Sequence, residues 1–235
     1  MKDRPERCCF NRRKILTQLM AGAAIGLSAH ADVPDKERRD RFTPDQIVEK
    51  FLNGNRRFVN GQRRQRDWLR DQKITANGQY PAGVFLTCID SRAPVEVICD
   101  LGIGEAFNAR VAGNAVNDDI LGSLEFATKV AGAKAVFIMG HTECGAIKGA
   151  IDGVAMGSLT LLLARIKNSI ASTQYEGDRT SSNYEFVNLV AKNHVIESVK
   201  LLRKRSPIMR DMEQAGAIRI VGSMYDLKTG IVSLL

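Results

Sequence analysis

The sequence predicts an α/β fold with a central, mainly parallel β-sheet flanked by helices. Three observations carry that expectation. Short apolar runs that suit buried parallel strands recur along the chain, at 82–88, 105–113, 134–141 and 217–227. Segments with helical spacing fall between them, the alternation that builds a parallel sheet. Hydrophobic residues make up 44% of 235 positions and aromatics only 6%, enough for one sizeable, mostly aliphatic core.

Residues 1–31 stand apart from that fold. A basic head precedes a modestly apolar stretch at 15–29, and Ala29-His30-Ala31 forms an A-x-A cleavage pattern. Arg12-Arg13 resembles a twin-arginine export signal, so the expected destination is the periplasm. The alternative is an ordinary amphipathic N-terminal helix. These residues hold six of the 34 Lys/Arg and two of the 26 Asp/Glu, so without them the net charge falls from +8 to +4. That balance gives no support to a nucleic-acid partner. No run reaches the ~18 uncharged apolar residues of a membrane span, so no membrane anchor is expected. Cys8 and Cys9 leave with the signal, while Cys88, Cys99 and Cys144 remain. Three is an odd number, and at least one thiol needs an employment other than a disulfide.

The charged, Pro-punctuated residues 32–42 read as a flexible arm, and 43–235 as a single domain. Thr43 is a helix N-cap with Pro44 at the first helical position, opening a helix near 46–53. Six arginines crowd residues 55–70 and read as a solvated helical face, or an arm packed on a partner subunit. The first strand, "AGVFLTC" at 82–88, is followed by strand candidate "EAFNARVAG" at 105–113. Ile120, Leu124, Ala127 and Ala131 take helical spacing before Gly132. Strand "KAVFIMGH" (134–141) precedes a helix over 158–170, with Leu159, Leu162, Leu163, Ile166 and Ile170 on one face. A polar loop (172–183) leads to a long helix that Pro207 ends, and strand 217–227 is followed by the short "IVSLL".

Functional residues of open parallel sheets gather where strands end, and two strand ends here are chemically loaded. "TCIDSR" closes one strand and "GHTECGA" another. Alternate residues of an extended chain point the same way, so Cys88, Asp90 and Arg92 share a side. His141 and Cys144, three apart, share a face on a turn or first helical turn. If the two strands are neighbours, Cys88, Asp90, His141 and Cys144 can converge on one point. Two thiolates, an imidazole and a carboxylate form a zinc ligand set. Cys99 reads as a small buried hydrophobe and His194 as a core histidine on a helical stripe.

At these residues the sequence resembles the β-class carbonic anhydrases. The resemblance rests on "CIDSR" (88–92) and "HTECGA" (141–146), supported by "RVAGNAV", "GSLEFA" and "YDLKTGIV", and spans about 43–234. It implies the parallel sheet flanked by helices, one Zn2+ per chain, and a homo-oligomer, either a dimer or a dimer of dimers. It further implies reversible hydration of CO2 to bicarbonate and a proton. Carried over position by position, Cys88, His141 and Cys144 match the zinc ligands, and Asp90 and Arg92 match a catalytic carboxylate–arginine pair. Asp90 either pairs with Arg92 or turns onto the metal as a fourth ligand. Some members carry Trp, tied to an inhibitory bicarbonate site, where this chain has Phe85. The alternatives are a carbon disulfide or carbonyl sulfide hydrolase of the same fold, or a non-catalytic zinc-binding protein. A dinucleotide site is disfavoured because "GIGEAF" lacks the third glycine. Ser91 has no G-x-S-x-G elbow around it.

Overall fold

A computed structural model describes Val33 and residues 35–235; residues 1–31, expected to be an export signal, lie outside the described residues. The expected arm differs from the structure over part of its length. Lys36–Arg41 form helix α1, because the Asp35 carboxylate accepts the Arg38 N–H as an N-cap. Lys134 Nζ then donates to the Asp40 and Phe42 carbonyls at 2.8 Å each, fastening this segment to the domain.

Helix α2, Pro44–Val59, begins where the sequence places it: Thr43 and Gln46 form a reciprocal capping box around Pro44. It runs six residues past the expected end because its buried face continues through Phe51 to Asn55. The buried Asn55 amide donates to the Ile98 carbonyl at 2.9 Å and the Gly230 carbonyl at 2.8 Å. Its Oδ1 accepts the Val232 N–H at 2.9 Å, so one side chain fixes three segments. Helix α3 (Trp68–Thr75), strand β1 (Gly83–Thr87), helix α4 (Val95–Ile98) and strand β2 (Ala106–Arg110) follow. Helix α5 (Asp118–Glu125) continues as a π-helical turn over Phe126–Val130 into strand β3, Ala135–His141. Helices α6 (Gly145–Ile151), α7 (Gly157–Ala164) and α8 (Lys167–Ser172) lead to the 22-residue helix α9, Tyr184–Arg205. Helix α10 (Pro207–Gln214), β4 (Arg219–Tyr225) and β5 (Val232–Leu234) complete the chain.

The sheet order is β2-β1-β3-β4-β5, with the first four strands parallel and β5 antiparallel to β4. Alternation along the strands splits the core between two faces. Phe85, Phe137 and Met139 face α2 and α4, where the rings of Phe51, Phe85 and Phe137 sit 4.7–5.7 Å apart. Val84, Leu86, Val136, Ile138 and Ile220 face Leu124 of α5, Val195, Val199 and Leu202 of α9, and Met209 of α10. The register of the two central strands brings their loaded ends together. Thr87 of β1 lies beside Met139 of β3, so Cys88 leaves the sheet next to the end of β3 that carries His141.

In the arginine-rich stretch 55–70, Arg56, Arg63, Arg64 and Arg70 are exposed as a solvated face requires, while Arg57 and Arg66 turn inward. Arg57 Nε donates to the Asp100 carboxylate at 2.7 Å, with Arg63 and Arg66 at 3.8 Å from the same group. Arg66 also pairs with the buried Glu105 at 2.9 Å. Asp100 is only 1% exposed. Arg57, Arg63 and Arg66 therefore neutralise the buried Asp100 and Glu105 around the α4–β2 connection.

Candidate metal centre

Three donors meet beyond the carboxyl ends of the two central parallel strands. Cys88 follows β1, His141 ends β3 and Cys144 precedes α6; all three are buried. Their sulfur and nitrogen atoms lie within 4.8 Å of one another, and the two sulfurs are 3.9 Å apart. His141 Nδ1 sits 2.8 Å from the Thr142 carbonyl. A carbonyl only accepts, so Nδ1 carries the proton and Nε2 presents a lone pair. That buried Nε2 has no hydrogen-bond partner among the described residues. An unpartnered buried imidazole nitrogen facing two thiols is costly unless a cation completes it. The donor set, S, S and N, suits zinc.

The local field favours the ionised form at Cys88, the form a metal requires of a thiol. The Cys88 thiol is pulled down to about 4, first by the Cys144 thiol beside it, then by His141 and the Gly113 N–H. That N–H donates to Cys88 Sγ at 3.3 Å. Gly113 has φ of 64°, and a Cβ there would meet Ile166 Cδ1 at 2.9 Å, so the close approach needs glycine. Cys144 is pushed up by its hydrogen bond to Cys88 and by burial, as befits two sulfurs sharing one proton; the N–H groups of Ile147 and Ala146 act the other way. Burial alone would lower the His141 pKa, but the neighbouring Cys88 sulfur reverses the sign and raises it.

Asp90 stands at the rim in the arrangement paired with Arg92, outside the three-donor group. Arg92 Nε and Nη2 donate to its two oxygens at 2.9 and 2.7 Å, and the Arg92 N–H adds a third bond at 2.9 Å. This guanidinium lowers the Asp90 pKa to about 2. Asp90 Oδ2 is 3.8 Å from His141 Nε2, so the carboxylate borders the donors without joining them. Arg110, at the end of β2, donates to the Cys88 carbonyl at 3.0 Å and the Asp90 carbonyl at 2.6 Å. It thereby fixes the path of the "CIDSR" loop. The other loop is tied to β4: the Thr142 N–H donates to the Tyr225 carbonyl, and Thr142 Oγ1 accepts the Leu227 N–H.

The remaining residues singled out in the sequence lie elsewhere. Cys99 is buried in the α2 face of the core, and burial lifts its thiol to about 12. Buried His194 accepts or donates one bond with the Ser169 hydroxyl at 2.9 Å, and burial drops its pKa to about 4. Phe85 is part of the aromatic cluster against Phe51. Sequence reasoning missed the supports of the site. Arg110 and Gly113 lie in a segment read as a strand and for its likeness to the family, with no role at the site, and Asn188, which binds the Glu143 N–H, carries no local signal at all.

Fold and donors together define an α/β protein with a Cys-His-Cys group that could hold a metal ion at the carboxyl edge of a parallel sheet. The family model described as carbonic anhydrase matches residues 83–232. Carbonic anhydrase 2 of Mycobacterium tuberculosis is 31% identical over 75% of this chain and 86% of its own length. The carbonic anhydrase of Mycolicibacterium smegmatis is 31% identical over 77% of this chain and 88% of its own. Among solved structures, a β-carbonic anhydrase of Aspergillus fumigatus superposes with a TM-score of 0.63 at 26% identity, covering 81% of this chain and 89% of that one. One of two tetrameric β-carbonic anhydrases of Sordaria macrospora shares the fold at a TM-score of 0.66 and 24% identity, covering 81% of this chain and 97% of that one. The chain belongs to the β-class carbonic anhydrase family.

Proposed function

We propose that this protein is a zinc-dependent carbonic anhydrase that interconverts CO2 and bicarbonate. The observation that carries the reading is the buried convergence of Cys88, His141 and Cys144, with the imidazole Nε2 lacking any partner among the described residues. Those three side chains would hold one Zn2+. When bound, zinc acts as a Lewis acid that makes water a nucleophile near neutral pH.

The chain's own residues do the rest. Asp90, ionised and held in place by Arg92, offers an oxygen at the rim that accepts a hydrogen bond from the attacking water and orients it. The Arg92 fork restricts Asp90 to that posture, and its half-exposed charge favours bicarbonate at the mouth. Arg110 holds the backbone of both Cys88 and Asp90, so donor and orienting carboxylate keep a fixed relation. The surrounding Ile147, Leu163, Ile166 and Phe186 limit water on the inner side.

The test is zinc content together with CO2 hydration by stopped flow. Cys88→Ser is expected to lose both. A wild-type protein that takes up about one zinc per chain yet hydrates no CO2 would leave only a metal-binding role. Assays with carbonyl sulfide and carbon disulfide check the substrate.

A homo-oligomer is supported by the open edge of β2 and by Phe126, 51% exposed beside Phe107 of that strand. Light scattering distinguishes dimer from tetramer. Export to the periplasm by the twin-arginine route is supported by Arg12-Arg13 and Ala29-His30-Ala31. N-terminal sequencing of the protein recovered from the periplasm tests it. No helix among the described residues is long and apolar enough to cross a membrane.

A further inference from the structure

The turn that carries two of the three donors adopts a backbone its own residues disfavour. Glu143, between His141 and Cys144, has φ of 57°, in the left-handed region. A non-glycine residue stays there only when its surroundings impose it. Every polar group of Glu143 is engaged. Its N–H donates to Asn188 Oδ1 at 2.9 Å, and its carbonyl accepts Arg92 Nη2 at 3.4 Å. Its carboxylate takes Lys148 Nζ at 2.6 Å. Arg92 and Lys148 belong to the site's own loop and to α6. Asn188 alone comes from α9, where the buried neighbours Val187, Val190 and Ala191 lock the helix in place.

We infer that Asn188 is a positioning residue for the metal centre: its side-chain oxygen holds the left-handed Glu143 peptide and so sets the separation of the His141 and Cys144 donors. This role deepens the zinc reading of the site and rests on it. Without that acceptor, Glu143 relaxes toward negative φ, and the two flanking side chains swing apart. A peptide rotated by tens of degrees moves a sulfur or a nitrogen by more than the few tenths of an ångström that zinc coordination tolerates.

Glycine at 143 separates positioning from mere structure, because it suffers no penalty for positive φ. Zinc affinity is read by competition with a chromophoric chelator, and the fold of the zinc-free protein by circular dichroism melting. Asn188→Leu keeps the bulk and loses the acceptor; it should weaken zinc binding at least tenfold. Asn188→Asp keeps the acceptor and should stay within about threefold of wild type. Glu143→Gly combined with Asn188→Leu should bind within about threefold of Glu143→Gly alone. Should Asn188→Leu fail to fold, Asn188→Ser, too short to reach the Glu143 N–H, carries the same expectation. Asn188→Leu binding zinc as tightly as wild type overturns the inference, as does a double variant no tighter than Asn188→Leu. A wild-type protein that binds no zinc overturns the metal reading itself.

Discussion

Replacing Arg92 by alanine should divide holding the metal from using it. The guanidinium meets both Asp90 oxygens, at 2.9 and 2.7 Å, and lowers that carboxyl from 3.8 to about 2. A drop of nearly two units corresponds to ~2.5 kcal/mol at ~1.36 kcal/mol per unit. Arg92 is 55% exposed, so solvent screening reduces this to roughly 1–2 kcal/mol. The sign is that of a carboxyl whose pKa falls on folding. Its stabilisation is complete above the unfolded value near 3.8 and is lost as pH falls through about 2. Arg92→Ala should therefore lower stability at pH 7 by that amount, with the deficit closing as pH approaches 2. Asp90 remains ionised at pH 7 in either protein, so a loss of turnover reports orientation, not protonation. A carboxylate freed from its fork turns away from the rim or onto the metal's open side. Losing ~1.4–2.8 kcal/mol of this organisation slows hydration about 10–100-fold. Zinc content should stay near one per chain, since Arg92 supplies no donor. Stopped-flow hydration, elemental analysis and urea denaturation measure the three quantities. Turnover within twofold of wild type, or zinc lost in step with turnover, would refute the reasoning.

Other substitutions probe the frame. Asp100→Asn keeps the shape and tolerates the residue's φ of 48°, but removes the charge that Arg57 and Arg66 face from partly or fully buried positions. It should cost roughly 3–5 kcal/mol in urea denaturation, and a cost below ~1 kcal/mol would show that the arginines find solvent instead. His194 titrates near 4 because burial disfavours its charge. Below ~6.5 the unfolded chain takes a proton that the folded one refuses, so stability falls by roughly 3 kcal/mol between pH 6.5 and 4. His194→Asn should flatten that part of the pH–stability curve relative to wild type; identical slopes would mean that the imidazole is protonated in the fold.

What could be read from the chain depends on how locally each feature is encoded. The buried strands were legible because β1 and β3 are continuous apolar runs, and their ends were legible because the donors sit in two short motifs. The N-terminus of α2 was equally plain, since Thr43, Pro44 and Gln46 form its cap within four residues. Features that depend on distant partners were not. The helix expected over 158–170 is broken at Arg165 and Ile166 into α7 and α8. The helix expected over 120–132 changes to a π-helical turn after Glu125. Pro207 ends α9 as its residue type requires, yet it also opens α10, with Ser206 capping the new helix. Short helices such as α4 and α6 have too few turns to show a period. Asp100 and Glu105 gave no sign that they would be buried, because their neutralising arginines lie some 35–45 positions earlier.

The adjacency of β1 and β3 has a consequence for how the protein matures. The sulfur pair is separated by 56 positions in the chain, and the intervening stretch contains the entire edge strand and its crossovers. Nothing nearer in sequence can bring these donors together, so an ion gains its grip only after that long loop has closed. Zinc would thus act late, as a clasp on a contact that spans 56 positions of the chain. Its uptake during refolding should lag behind the appearance of helix, reporting when the two halves of the sheet have met.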